Sequence, residues 1–203
     1  GVWFASSSES DGRTLDKTCF ETSFWGTQMH RLFVAIRPSR LLREHLLAGM
    51  GGVPGARWQT DDQLHLTLRF IGEVDRHCAE DVAAAIGTIH QPRFTIALDG
   101  LGQFERRGRV AALWAGVAPH APLKALHKKI DQALTRIGLA PEGRAYLPHI
   151  TLARFSGGGS LIDKASLPLA PGLSEEVRDF CLFESRLGSD GASYTIVERY
   201  PLR

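Results

Sequence analysis

One pattern occurs twice in this sequence of 203 residues: histidine, apolar residue, threonine, apolar residue. It reads HLTL at residues 65–68 and HITL at residues 149–152. Both copies lie in apolar runs that predict β-strands, where residues two apart share a face. Each strand is therefore expected to present one imidazole and one hydroxyl on the same side. Two matched copies in strand-like context are improbable by chance.

The residue types favour acid–base catalysis on a phosphate. An imidazole titrates near neutral pH, so one of His65 and His149 could activate water while the other protonates a leaving oxygen. The hydroxyls of Thr67 and Thr151 could donate to phosphoryl oxygens, and hydroxyls are poor zinc ligands, so no metal is expected. The alternative is a pair of half-buried structural histidines, which a single copy would favour.

Strict alternation makes a further prediction about the first motif. It places Arg69 on the same face as His65 and Thr67, and Phe70 on the opposite face with the leucines. The same rule makes Arg69 a candidate for a basic cleft.

The periodicity along the chain predicts an α+β fold with mostly antiparallel strands. Because the motif is repeated, we expect two lobes related by a pseudo-twofold axis: a pair of mostly antiparallel sheets flanked by helices, with the active-site cleft between them. Residues 102–108 are expected to form a loop, and residues 189–191 a hairpin turn. Strands are expected at about 31–37, 64–71, 93–100, 109–117, 149–155, 177–187 and 193–200, and helices at about 39–50, 76–90 and 121–138.

Residues 1–28 differ in character from the rest. They are polar and turn-rich, they contain no motif, and Met29 precedes the first clear strand. We therefore expect residues 1–28 to be a disordered upstream extension and residues 29–203 to form the domain.

Composition restricts the class of protein. With 43% hydrophobic and 23% charged residues, the chain is typical of one globular domain. A net charge of +2 is too small to indicate RNA binding by itself, so basic residues would have to gather in one cleft. Three widely spaced cysteines favour free thiols and a cytoplasmic location. No apolar stretch is long enough for a membrane span. The candidate basic residues are Arg69, Arg106, Arg107, Arg109, Arg144 and Arg154.

These motifs resemble those of the two-histidine phosphoesterase superfamily, and within it the RNA 2',3'-cyclic phosphodiesterases, also called 2'-5' RNA ligases. The likeness runs from about residue 30 to the C-terminus. Besides the two motifs, it includes the runs RLFVAI at 31–36, FIGEV at 70–74, GQF at 102–104 and LWAGV at 113–117.

The resemblance implies a role for each residue. His65 would be the general acid, His149 the base, and Thr67 and Thr151 would hold phosphoryl oxygens. Arg154 would contact the phosphate or the nucleoside. Because Arg154 lies five residues after His149, alternation places it on the wrong face unless a bulge near Ala153 turns it inward.

Two aromatic residues are further candidates for substrate binding: Phe33 in the opening strand and Trp114, which could stack a base. For Trp114 a position in the core is the alternative.

The resemblance implies a monomeric enzyme that opens the 2',3'-cyclic phosphate of an RNA end to a 2'-phosphate. It would need no metal or cofactor and could also run in reverse as a ligase. One alternative keeps the fold and changes the substrate to 2'-5' oligonucleotides or small cyclic nucleotides. Another is a module that binds RNA ends without turnover.

Overall fold

The computed structural model describes residues 29–159, 172–188 and 191–203. The predictions for residues 1–28, and for Ser189 and Asp190 of the expected turn, lie outside the described residues. The strands are β1 (His30–Ile36), β2 (Arg57–Trp58), β3 (Leu66–Val74), β4 (Phe94–Arg106), β5 (Arg109–Ala118), β6 (His149–Gly159), β7 (Ser174–Val177), β8 (Asp179–Gly188) and β9 (Gly191–Pro201). The helices are α1 (Arg40–Ala48), α2 (Arg76–Gly87) and α3 (His120–Arg136), and a 3-10 turn spans Asp61–Gln63.

The described strands run in the order β7-β4-β5-β6-β3-β1-β8-β9, with β2 paired to β6, and their pairings are antiparallel. The predicted α+β fold with mostly antiparallel strands is confirmed. Each motif strand pairs with the strand that precedes its helix: β3 pairs with β1, with α1 and the short β2 between them in the chain, and β6 pairs with β5, with α3 between them. The two expected sheets are joined into one path, because β3 pairs with β6 at Leu66 and Ile150.

The main core lies between one face of this sheet and the helices. The apolar residues of α1, α2 and α3 fall at helical spacing, so each helix buries one stripe. The motif leucines and Ile150 belong to the same buried cluster, so the alternate residues of the motif strands point to the other face. The helix residues of this cluster are Leu42, Leu46, Val82, Ile86, Leu123, Leu126, Ile130 and Leu134.

The predicted loop at residues 102–108 is wrong. Strand β4 continues to Arg106, which pairs with Arg109, and the turn consists of Arg107 and Gly108. Both turn residues have positive φ, 54° and 73°, as a two-residue type I′ hairpin requires. Because the sequence contains several loop-forming residues here, the pattern suggested a longer connection. The consequence is that Gly102 and Phe104 lie within a strand beside the second motif.

Strands β2 and β7 have no counterpart among the predicted elements, and several boundaries differ from expectation. Helix α2 ends at Gly87, and β6 continues to Gly159. None of the helices in the described part of the chain has the length and apolar character that crossing a bilayer requires. Cys78 and Cys181 are free thiols, as predicted.

Candidate active site

The pairing of β3 with β6 brings the two motifs together. Leu66 lies opposite Ile150, and both side chains are fully buried on the helix face. In an antiparallel pair the flanking positions also face each other. Extending this register by one residue in each direction predicts that His65 lies opposite Thr151 and that Thr67 lies opposite His149. Thr67 lines one cavity with His65 and another with His149, so these three side chains share the face away from the helices.

Each motif ends in a bulge at the same place. The pairing of β3 with β1 goes from Thr67 directly to Arg69, and the pairing of β6 with β5 goes from Thr151 directly to Ala153. The extra residue is the leucine after each threonine. A bulge changes the face on which the following side chains lie.

The first bulge overturns the prediction for Arg69. Its side chain is 9% exposed and its Nε donates to Asp131 of α3 at 2.8 Å, so it lies on the helix side. Phe70 takes the site face instead and is 44% exposed. Helix α3 also stabilises the bulge, because His127 Nδ1 lies 2.7 Å from the Leu68 carbonyl oxygen and donates to it.

The second bulge resolves the position of Arg154. Leu152 and Ala153 are both buried, and Arg154 emerges on the site face, where it lines a cavity with His65 and Thr67. Arg154 thus occupies the position in the second motif that Phe70 occupies in the first.

Three aromatic rings surround His65. Its ring centroid lies 4.9 Å from that of Phe33 and 5.1 Å from that of Tyr194, and Phe183 lies behind them, stacked on Phe33. Phe33 is 3% exposed, so its placement favours support of the imidazole over stacking on a substrate. Tyr194 comes from β9, and no sequence pattern linked it to the motif.

Two further rings surround His149. Phe104 meets it edge-on at 5.0 Å, and Trp114 lies 5.8 Å away. Trp114 is half-buried and packs so closely over Gly102 that a Cβ there would lie 2.0 Å from its ring. Trp114 therefore supports His149, whereas Phe104, 38% exposed, is available to a ligand. Sequence reasoning assigned Phe104 to a loop and missed its place in the site.

Both imidazoles have the same fixed orientation. His65 Nδ1 lies 2.7 Å from the Gln63 carbonyl oxygen, and His149 Nδ1 lies 2.8 Å from the Leu147 carbonyl oxygen. A carbonyl only accepts, so each Nδ1 carries the proton and each Nε2 is free to exchange one with a ligand.

Burial controls the charge of both imidazoles. It lowers the pKa of His65 to about 4, because an imidazolium loses solvation there, and the positive charge of Arg154 acts in the same direction. Burial and Arg154 also lower the pKa of His149. In both cases the hydrogen bond to the backbone carbonyl opposes the shift. In the free protein both histidines are therefore neutral at pH 7.

The site opens into two cavities that share Thr67 and Phe70. The His65 cavity has a volume of about 450 Å³, and the His149 cavity about 500 Å³. The His65 cavity is also lined by Arg31, Phe33, Arg57, Arg154, Ser185, Leu187, Gly188, Gly191, Ala192 and Tyr194. The His149 cavity is also lined by Leu68, Arg69, Phe104, His127, Glu142, Arg144, Ala145, Tyr146 and Leu147.

Metal ligands do not gather here. Within residues 29–159, 172–188 and 191–203, no group of three or more His, Cys, Asp or Glu side chains is placed to hold an ion. Activity without a metal stays a prediction.

This arrangement of two motifs has counterparts in known proteins. The sequence profile of the 2'-5' RNA ligase superfamily matches residues 36–182, a span that contains both motifs. The chain belongs to the 2'-5' RNA ligase superfamily. The predicted family resemblance is therefore confirmed.

Individual superfamily members show how far the similarity extends. An RNA 2',3'-cyclic phosphodiesterase of Escherichia coli is 32% identical over 87% of this chain and 98% of its own length. One of Aeropyrum pernix is 39% identical, but over 54% of this chain and 62% of that relative. The crystal structure of E. coli LigT complexed with 3'-AMP matches with a TM-score of 0.72 at 30% identity, covering 86% of this chain and 99% of that one.

Proposed function

We propose that this superfamily member hydrolyses the 2',3'-cyclic phosphate at the end of an RNA to a 2'-phosphate. The observation that carries the proposal is the Leu66–Ile150 pairing, which brings the two motifs to one point of the sheet, with each imidazole held through Nδ1 and its Nε2 available to a ligand. A phosphate at that point would meet one histidine on each side. That is the arrangement an in-line displacement at phosphorus requires, because the nucleophile enters opposite the leaving oxygen.

The proposed step is a displacement by water. His149 Nε2 accepts a proton from water as the new P–O bond forms. The P–O3' bond breaks, and His65 gives a proton to the departing O3'. Thr67 and Thr151 donate to the phosphoryl oxygens that stay bound, and Arg154 offsets their negative charge. The assignment of the acid to His65 rests on the family resemblance, since the local symmetry of the site is compatible with either order.

The general acid, His65, must be protonated for this step, but in the free protein its neutral form is favoured. Because burial and Arg154 lower the pKa of His65, its imidazolium forms readily only when a negative charge is nearby. The anionic substrate supplies that charge. Protonation of His65 is therefore coupled to substrate binding in this mechanism.

The relatives support this substrate class. Both curated relatives described above carry the name RNA 2',3'-cyclic phosphodiesterase. The solved LigT complex contains 3'-AMP, a nucleotide with a phosphate on its ribose. We propose the same class of ligand for this chain, with RNA as the partner. The cytoplasmic location and the monomeric state stay predictions.

A turnover assay on three substrates tests the function. A dinucleotide with a 2',3'-cyclic phosphate end should be converted to the 2'-phosphate, identified by its phosphorus NMR signal. Faster cleavage of a 2'-5'-linked oligonucleotide or of a 3',5'-cyclic nucleotide would favour the alternative substrates. Tight binding of the dinucleotide without any turnover would instead indicate a non-catalytic module.

A further inference from the structure

The two cavities differ strongly in charge. Three arginines, Arg31, Arg57 and Arg154, line the His65 cavity, and its described lining contains no Asp or Glu. The described lining of the His149 cavity contains Arg69, Arg144 and Glu142, and Arg69 is already bound to Asp131 and Glu142. The His149 cavity is otherwise dominated by rings and apolar side chains. The His65 side of the site therefore carries three arginines without a carboxylate in its described lining, whereas on the His149 side Arg144 is the described arginine without an ion pair.

The three arginines form no ion pair with a carboxylate in the described part of the chain, although Glu73 lies opposite Arg31 in the β1–β3 pairing. Two arginines outside the two cavities have carboxylate partners by contrast: Arg37 pairs with Asp61 and Asp62, and Arg43 with Asp61. No ion pair with a described carboxylate involves Arg31, Arg57 or Arg154. The guanidinium of Arg31 instead lies over the Phe70 ring, 5.3 Å from its centroid.

Strand β2 brings two of these three arginines together. Arg57 lies directly opposite Arg154 in the β2–β6 pairing. Like charges at opposed positions of a sheet destabilise it. An anion bound between the side chains of Arg57 and Arg154 would therefore relieve their repulsion. The guanidinium of Arg57 also lies against the backbone of Gly191 at the cavity wall, close enough that a Cβ there would be 3.7 Å from Nη1.

The proposed reaction indicates which anion would bind to these arginines. The bond to O3' breaks opposite the entering water, so the ribose lies on the side of the general acid, which is His65. The 5' oxygen of that ribose carries the preceding phosphodiester of the RNA. This second phosphate therefore lies on the His65 side, where Arg31 and Arg57 are.

We propose that Arg31 and Arg57 bind the phosphodiester that precedes the cyclic phosphate, so that the RNA leaves the site through the His65 cavity. This inference rests on the proposed function and adds a direction and a minimum length to its substrate. Arg154 binds the reacting phosphate and the other two arginines bind its neighbour. A dinucleotide is then a better substrate than a mononucleotide, and the advantage comes from charge.

Three substrates separate charge from base stacking. They are cytidine 2',3'-cyclic phosphate, the dinucleotide CpC with a 2',3'-cyclic phosphate end, and the same dinucleotide with a neutral methylphosphonate linkage. We expect kcat/KM for the natural dinucleotide to exceed that for the mononucleotide about tenfold, as a charge-assisted contact predicts. The methylphosphonate should lose most of that advantage. Equal values for the two dinucleotides would overturn the proposal.

Variants locate the contact. Arg57→Gln and Arg31→Gln should each lower kcat/KM for the natural dinucleotide about fivefold or more and lower it much less for the mononucleotide, so that the ratio of the two values falls. Arg136→Gln, an exposed arginine of α3 that lines neither cavity, is the matched control for loss of one charge. Arg144→Gln probes the opposite path. If it alone removes the dinucleotide advantage, the RNA leaves through the His149 cavity and the proposal is wrong.

A binding measurement tests the arginine contact independently of catalytic turnover. The wild-type protein and the variants are titrated with the product dinucleotide carrying a terminal 2'-phosphate, at several salt concentrations. An extra phosphate contact adds about 0.7 to the slope of log K against log salt for a single strand. Arg57→Gln should lose that increment even if no turnover is found. An unchanged slope would count against the arginine contact, whereas absent turnover with an intact slope difference would count against the function alone.

Discussion

Leu66 lies opposite Ile150 where the two halves of the sheet meet, and both side chains point into the helix-covered core. Extended by one residue each way, this register relates His65 with Thr151 and Thr67 with His149 by a local twofold axis through this pair. The geometry of the candidate site is therefore coupled to a buried apolar contact rather than to a flexible loop.

Removal of either imidazole should abolish most of the activity without unfolding the chain. We expect His65→Ala and His149→Ala each to lower kcat by about 10²- to 10⁴-fold, and the double variant to lose less than the product of the two. Circular dichroism checks the fold, and His77→Ala, on an exposed position of α2, is the control. A loss below tenfold in either single variant would refute a catalytic role for that residue.

A better leaving group distinguishes the acid from the base. p-Nitrophenolate leaves phosphorus without taking up a proton, so a p-nitrophenyl ester bypasses the general acid. It should restore the activity of His65→Ala far more than that of His149→Ala, measured as release of p-nitrophenolate. Preferential rescue of His149→Ala would reverse the two roles.

The lowered pKa values of both histidines predict the pH dependence. Activity needs one imidazole protonated and the other neutral, so kcat/KM should be bell-shaped with its maximum below pH 6.5, between the two macroscopic pKa values. Because the charge of Arg154 lowers both pKa values, Arg154→Gln should move the whole profile to higher pH. Imidazole NMR titration checks the same shifts directly. An unmoved profile would show that Arg154 does not act on the imidazoles.

Gly102 should be required for the position of His149. An added Cβ would lie 2.0 Å from the Trp114 ring, and that ring contacts His149. We expect Gly102→Ala to lower kcat and to destabilise the fold by about 1–3 kcal/mol, as overpacking does. Gly143→Ala, where a Cβ would meet nothing within 4 Å, is the matched control. Equal kcat and melting temperature in the two variants would contradict the packing argument.

Activity should survive removal of divalent metal ions. The described residues contain no cluster suited to an ion, and the two threonines are poor ligands. The rate in excess EDTA should match the rate in buffer. A loss that added Mg²⁺ or Zn²⁺ restores would show that the mechanism proposed here lacks a component.

The sequence predicted the positions of the two motifs well. It predicted less well which face of the sheet each strand residue occupies. Period-2 alternation predicted correctly that His65 and Thr67 share a face, because the strand is regular up to Leu68. It failed at Arg69, since a bulge depends on the pairing with β1 and on the hydrogen bond from His127, neither of which is local. For Arg154 the need for a bulge could be stated in advance, but its position at Leu152 required the structure.

The sequence also could not predict which aromatic rings pack around the two histidines. Tyr194 and Phe104 reach the histidines from β9 and β4, and strand order alone decides which distant residues become neighbours. The unequal charge of the two cavities has the same origin, since Arg31, Arg57 and Arg154 come from three separate strands.

By itself, the sequence determined the two His-x-Thr motifs, the mostly antiparallel α+β fold and the superfamily, because these depend on residue type and short-range period. The tertiary structure decided which side chains surround each imidazole, which arginines face the ligand and how far the imidazole pKa values fall. Those properties depend on contacts between residues far apart in the chain and on burial, and both exist only once the strands have paired.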